Sequence, residues 1–301
     1  MEPMTNGGRQ RVGASARKAA SAVIVAMLAP VALLASIALS SQPASAAPGV
    51  SAAATIPGGG QPAPNQGVGN LPRTGKGESN SLDWAGYAVT GTPVTSVAGS
   101  WVEPTAVCPV SKVEQSAFWV GIDGYAATDP TVQQIGTDAD CTKKVKKVPG
   151  GPSYYAWFEM YPQGLVVLPT GIYPVAPGDV LSASVTVVGS SSYTLAIADA
   201  GRWTYSTTQV AGTTVPLNAS AEWIAEAPTS CVASKCKVLP LADFGSVVFS
   251  GATVNRLAIN ATGLTDNLIT MTKTIKGKTV KASTSALDVT GHSFTVTWLT
   301  N

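Results

Sequence analysis

Histidine is almost absent from this chain: His292 is the only one in 301 residues. That excludes the common zinc sites built from two or more histidines. Any Ser-His-Asp or Cys-His mechanism would have to run through His292. Charge is scarce as well, at 12% of residues against the usual quarter or so. The net charge of +2 gives no electrostatic footprint for nucleic acid or for an acidic partner. Lysines gather locally, at Lys143, Lys144, Lys146 and Lys147 and at Lys273, Lys276, Lys278 and Lys281. Both groups read as solvated turns or outward strand faces. No Gly-x-Ser-x-Gly elbow, phosphate-binding loop or dinucleotide fingerprint occurs. What remains for chemistry is carboxylates, amides and hydroxyls, so neither a metal nor a cofactor is expected.

One long apolar run exists, Ala19 to Leu39, preceded by Arg9, Arg11, Arg17 and Lys18. Ala44-Ser45-Ala46 then offers small residues at the −3 and −1 positions of a signal-peptidase site. Cleavage after Ala46 is expected, giving a secreted protein with no membrane attachment. The run is also long enough to span a bilayer, so an uncleaved anchor is the alternative. Residues 47–80 are rich in Pro, Gly, Ala and Ser and cannot bury enough surface to offset chain entropy. They are expected to be a disordered linker or propeptide, leaving 81–301 as the folded body. Export also bears on the cysteines. Cys108, Cys141, Cys231 and Cys236 are even in number and suggest two disulfides, for which three pairings exist. Cys231–Cys236 would close a short loop, leaving Cys108–Cys141.

From Leu82 onward, short runs rich in Val, Thr, Tyr and Trp alternate with Gly/Pro/Asn/Ser clusters, and no amphipathic helix follows the apolar run. Trp84–Val89, Ser116–Ile122, Tyr154–Tyr161, Val180–Val188, Ala221–Glu226 and Ser293–Leu299 are among about a dozen predicted strands. One all-β sandwich is the expected fold. Its central stretch is Ser220 to Glu226, where a two-residue period sends Glu222, Ile224 and Glu226 to one face. Two glutamates on a strand face are ordinarily solvated. Two further stretches bring polar and aromatic groups together: Phe118 to Gly124 with Val132 to Asp138, and Tyr154 to Pro162, where Tyr155, Trp157 and Glu159 share a face. Trp and Glu on one face suit a concave groove better than a dry core. Taken singly, Trp119 and Trp157 read as core residues and Asp123 before Gly124 as a turn residue.

Several linked motifs resemble the glutamic peptidases (eqolisins, peptidase family G1). They are Trp84-Ala85-Gly86, Gly99-Ser100-Trp101-Val102-Glu103-Pro104, Trp119-Val120-Gly121-Ile122-Asp123-Gly124, Gln133-Gln134-Ile135-Gly136 and Ala221-Glu222-Trp223. Trp157-Phe158-Glu159-Met160-Tyr161-Pro162 resembles the family's Trp-Tyr-Glu-Trp-Tyr-Pro block, and the likeness covers about 82 to 299. The resemblance implies an antiparallel β-sandwich of two large sheets, a concanavalin-like architecture, and a hydrolase that cuts peptide bonds with a Gln/Glu dyad. Residue by residue, the dyad is Gln134 and Glu222, with Gln133 and Glu226 as fallbacks. Trp119, Asp123, Asp138, Trp157 and Glu159 would line the substrate groove. Tyr155 stands where the family carries Asp, and Met160 where it carries an aromatic.

The chemistry is self-consistent. Glu222 can take a proton from attacking water and return it to the leaving amine, while the Gln134 amide donates to the developing oxyanion. An ordinary carboxyl group donates protons poorly at neutral pH, so acid pH is expected to favour activity. The partners are then protein or peptide substrates, and a monomer is expected. Two other readings use the same residues: a glycosidase with Glu159 and Glu222 as its carboxylate pair, and a non-catalytic module that binds surfaces through the aromatics.

Overall fold

A computed structural model describes residues 77–126, 128–144, 150–232 and 235–301. The expected signal segment 1–46, residues 47–76 of the expected linker, and Lys146 and Lys147 lie outside the described residues. Among the described residues every named element is a strand: β1 Glu78–Ser81, β2 Trp84–Thr90, β3 Ser96–Val102, β4 Ala117–Ile122, β5 Val132–Thr142 and β6 Gly151–Tyr161. Then come β7 Leu165–Val167, β8 Val180–Gly189, β9 Ser192–Asp199, β10 Trp203–Val210, β11 Ala221–Glu226 and β12 Thr229–Val232. The last are β13 Lys235–Val238, β14 Ser246–Val254, β15 Thr265–Thr272, β16 Val280–Thr284 and β17 Phe294–Trp298. No helix among the described residues is long and apolar enough to cross a membrane.

The strands follow one continuous path, β10-β9-β8-β3-β14-β17-β16-β15-β2-β11-β4-β5-β6-β7. β14 makes it a sandwich. Ser246–Phe249 pair with β17, and Ser250, Thr253 and Val254 pair with β3 across a register shift. Gly251 within that shift adopts φ 58°, a left-handed conformation that favours glycine. The strand therefore leaves one sheet and enters the other. All ladders on the path are antiparallel; β1 adds a parallel strand on β15. That pairing draws Glu78–Asn80, which composition alone assigned to the linker, into the fold.

The main core lies between the two sheets. Trp223 of β11 crosses it, and its indole N–H donates to the Ala98 carbonyl on β3 at 2.7 Å. Gly99 leaves room for that ring, since a Cβ there would sit 2.8 Å from Trp223 Cδ1. Phe158 of β6 stacks on Tyr205 of β10, with ring centroids 6.0 Å apart. A disulfide joins Cys108 to Cys141 at the end of β5 and closes a loop of 33 residues. Such a closure stabilises by roughly 3–4 kcal/mol, in chain-entropy terms. Cys231 and Cys236 are Cα partners in the two-stranded β12–β13 ladder, and Cys236 is disulfide-bonded.

Gly86 sits where β2 pairs with both β11 and β15, opposite Ile224 and Ile269. Its φ is 148°, and a Cβ there would lie 2.0 Å from the Trp223 carbonyl oxygen. Gly86→Ala should therefore cost about 3 kcal/mol or more in urea unfolding, by the usual penalty for overpacking. Gly171→Ala, with nothing within 4 Å of the added carbon, should stay within about 0.5 kcal/mol of the wild type.

Candidate active site

Strand register assembles the site. Asn267, Ala88, Glu222, Gly121, Gln134 and Glu159 are successive Cα partners across β15, β2, β11, β4, β5 and β6. Laterally paired residues project to the same face of a sheet. With strands about 4.8 Å apart, the Cα atoms of Glu222 and Gln134 are about 10 Å apart, and those of Gln134 and Glu159 about 5 Å. Only Gly121 stands between Glu222 and Gln134. A Cβ on it would lie 2.8 Å from Trp119 Cζ3 and 3.2 Å from Gln134 Cβ. The missing side chain keeps the space between carboxyl and amide open.

Glu159 fixes the amide. Gln134 Nε2 donates to Glu159 Oε2 at 2.7 Å, leaving its second hydrogen for another acceptor. Two residues along each strand, Trp119 and Trp157 flank Gly136, and the next row holds Glu226, Ala117, Asp138 and Tyr155. The Trp119 indole donates to Glu226 Oε2 at 2.8 Å, and the Trp157 indole to Asp138 Oδ1 at 2.6 Å. Tyr155 Oη lies 2.8 Å from Asp138 Oδ2 and 3.0 Å from Asp140 Oδ2. A hydroxyl carries one hydrogen, so it serves both carboxyl groups fully only when one of them is protonated and donates back. Gln115 Nε2 completes this cluster on Asp140 at 2.9 Å.

Asp123 acts at the other end of β4. Its φ is 74°, and its carboxylate accepts from the backbone N–H groups of Asn218 at 2.9 Å and Ala219 at 2.7 Å. Its own N–H donates to the Ser220 carbonyl at 3.0 Å. These bonds anchor the chain just before β11 and so set where Glu222 falls in the row.

Burial dominates the electrostatics. Glu222 is inaccessible to solvent, and neither carboxyl oxygen has a hydrogen-bond partner. Loss of hydration pushes its carboxyl well above the ordinary range; Ser220 close by tempers the rise without forming a well-shaped bond, and Asp123 and Asp129 add to it. Burial carries Glu159 up to about 8, opposed by the Gln134 bond and assisted by Asp138. Asp123, Asp138 and Asp140 are raised for the same primary reason. Glu103, buried beneath this face against Thr137 and Trp101, is also pushed to about 8 by burial. The two ion pairs of the described residues lie elsewhere, joining Arg202 to Asp179 and Asp199. Among the described residues no group of three or more His, Cys, Asp or Glu side chains is arranged to hold a metal ion.

The sequence profile of the Peptidase A4 family matches residues 82–298. The chain belongs to that family. It is thus a peptidase, a hydrolase of the glutamic peptidase group. Among solved structures, it is similar to scytalido-glutamic peptidase with a transition-state-analogue inhibitor, at 19% identity and a TM-score of 0.60, covering 72% of this chain and 98% of that one. It is also similar to SCP-B, an eqolisin in complex with the tripeptide Ala-Ile-His, at 21% identity and a TM-score of 0.56, again covering 72% and 98%. At these identities the likeness is one of fold. No curated protein sequence matches the chain.

In this peptidase, Glu222, Gln134, Trp119, Trp157, Glu159 and Asp138 lie on one sheet face, with Asp123 at its margin. Gln133 projects to the opposite face, toward the main core, as strand alternation requires. Glu226 is buried on the same face as Glu222 and is engaged by Trp119. One expectation is corrected: Glu222 and Glu226 are not solvated, since both are buried. Trp84, Trp119, Tyr155, Trp157, Ile224 and Ile269 form part of a second apolar cluster, with Tyr125, Tyr161, Leu165 and Val167 packed partly exposed against it. Sequence reasoning missed Gly121, Asp129 and the Tyr155–Asp140 contact. Only Asp140 had a readable signal, its two-residue spacing from Asp138.

Raised carboxyl pKa values fix the sign of the pH dependence of stability. A carboxyl group that titrates near 8 when folded and near 4 when unfolded binds its proton more tightly in the native state. Its contribution is fully present below about pH 4 and is lost as pH rises toward 8. Thermal unfolding should therefore show a melting temperature roughly 5 °C or more higher at pH 4 than at pH 8. A flat or rising profile over that interval would contradict the desolvated cluster.

Proposed function

We propose that this peptidase is a secreted endopeptidase in which Glu222 is the proton-transferring base and acid and Gln134 stabilises the oxyanion. The observation that carries the reading is their common row on one sheet face, separated by a glycine alone. The fraction of Glu222 that has lost its proton would take a proton from water as the water oxygen attacks the peptide carbonyl carbon. The carbonyl oxygen becomes an anion, and the Gln134 Nε2 hydrogen not bound to Glu159 would donate to it. Collapse of the tetrahedral species breaks the C–N bond, and Glu222 would return the proton to the departing amine. Glu159 positions the amide, and Trp119 and Trp157 form the apolar walls. Tyr125 and Tyr161 pack, partly exposed, against the same apolar cluster as these two tryptophans.

Activity on the acid side of neutrality follows from the neighbours. While Glu159, Asp138 and Asp140 keep their protons, the face carries little negative charge. As pH rises through 7 to 8, Asp138 and Glu159 ionise, and each new anion opposes the oxyanion beside Gln134. The Cys108–Cys141 disulfide and the signal-like N-terminus support an extracellular location. A sugar-cleaving role for Glu159 and Glu222 is disfavoured by register. They stand three strands, or about 14 Å, apart at Cα, with Glu159 bonded to Gln134.

Hydrolysis of a denatured protein between pH 2 and 8 tests the assignment. Glu222→Gln should lower kcat by at least about 100-fold, the usual worth of general acid–base catalysis. Gln134→Ala should lower it by about 100- to 1,000-fold, as for removal of an oxyanion donor. Full activity in either variant, with the fold intact, would remove that residue from the mechanism.

A further inference from the structure

Lys281 departs from the solvated role that its lysine-rich neighbourhood suggests: it is only 6% exposed. The cause is a local irregularity in β16. Met271 pairs with Ala282 while the adjacent Thr272 pairs with Val280, so Lys281 is the extra residue of a bulge. Bulges re-aim side chains. This one is pinned by the C-terminal segment, because the Lys281 carbonyl oxygen accepts from the N–H groups of Leu299 at 2.8 Å and Thr300 at 3.2 Å. Asn301, which lines the same cavity, is itself held by Leu241 N and Glu114 Oε1.

Lys281 lines a cavity of about 570 Å³ that has Leu82, Val238 and Pro240 as apolar wall and the exposed Lys237 and Lys273 at its edge. Among the described residues no ion pair or hydrogen bond holds the Lys281 ammonium. A cation with so little exposure and no direct ion pair is costly to hold, and the buried Asp83 carboxylate offsets only part of that cost. Burial lowers its pKa to about 8, with Asp83 opposing and Lys273 reinforcing the shift. Below that pH the cavity presents a positive charge at its base and two more at its edge. Thr272, which lines the cavity, lies five residues along β15 from Asn267 of the Glu222 row, about 17 Å of strand, so this is a separate place on the molecule.

We propose that this cavity is a binding site for a carboxylate on an aliphatic stem, the acidic side chain of a protein substrate, with Lys281 as its buried cation. The apolar wall matches the stem, and the lysines match the charge. The site does not depend on which residues carry the peptidase reaction.

Calorimetric titration of the full chain at pH 6 with three probes tests it: N-acetyl-glutamate α-amide, its isostere N-acetyl-glutamine α-amide, and inorganic phosphate. The glutamate probe should bind at least 10-fold more tightly than the glutamine probe. Lys281→Met should abolish that preference, and Lys273→Ala should reduce it about threefold. Because the burial cost of the ammonium outweighs its attraction to Asp83, Lys281→Met should leave the melting temperature unchanged or raise it. Equal binding of the two amides, or no binding of either, would overturn the proposal, as would a preference that survives in Lys281→Met. Binding of phosphate alone would make this a small-anion site and refute the peptide assignment. Should Lys281→Met fail to fold, Lys281 is structural and the proposal falls if Lys273→Ala also leaves the preference unchanged.

Discussion

Carboxyl groups held away from water without a compensating cation are the constraint on which this molecule turns. Glu222, Glu159, Asp138 and Asp140 are all buried on one face of a β-sheet, while the ion pairs of the described residues lie at a distance. Ionising them there is expensive, so protons stay bound that would leave in water. Most of the local architecture answers that cost. Trp157 and Tyr155 donate to Asp138, Gln115 donates to Asp140, and Gln134 donates to Glu159. Glu222 is the exception, with neither oxygen satisfied. A buried carboxyl group with neither oxygen bonded, among carboxyl groups that each hold at least one hydrogen bond, is where chemistry is expected.

The sheet supplies the precision. Antiparallel register puts Glu222, Gly121, Gln134 and Glu159 abreast, and glycines at 86, 121 and 136 let bulky neighbours close over the strands. Neither carboxyl nor amide sits on a loop. Both are carried by strands whose opposite faces build the main core, so Trp223 and Ile135, one residue from each partner, help hold the geometry. Asp123 extends the same logic to the loop before β11, where its carboxylate fixes two backbone N–H groups.

Alternation made part of this legible from sequence. The period of two in Ala221–Glu226 set the face of Glu222, and parity in β5 separated Gln134 from Gln133. Depth was not legible, because a strand bearing glutamates on one side looks the same whether that side meets water or a layer of tryptophans. Register was not legible either, since it is set by long-range pairing, and so the role of Gly121 as the gap between Glu222 and Gln134 was invisible. Tyr155 looked like the loss of a carboxylate, yet its hydroxyl sits between two others. Lys281 was misread because one extra residue in β16 turns it inward, and bulges leave no periodic trace. The parallel pairing of β1 with β15 was hidden because it is a long-range contact, made by a stretch whose composition resembles linker.

The most direct measurement is a ¹³C-NMR titration of glutamate side-chain carboxyl carbons, with Glu222 assigned by its loss in Glu222→Gln. If the buried face governs the chemistry, the Glu222 carbon keeps its protonated shift well above the ordinary glutamate range. A midpoint for Glu222 near the ordinary carboxyl value of about 4.3 would mean that water reaches it freely in the resting protein, contradicting the desolvated row.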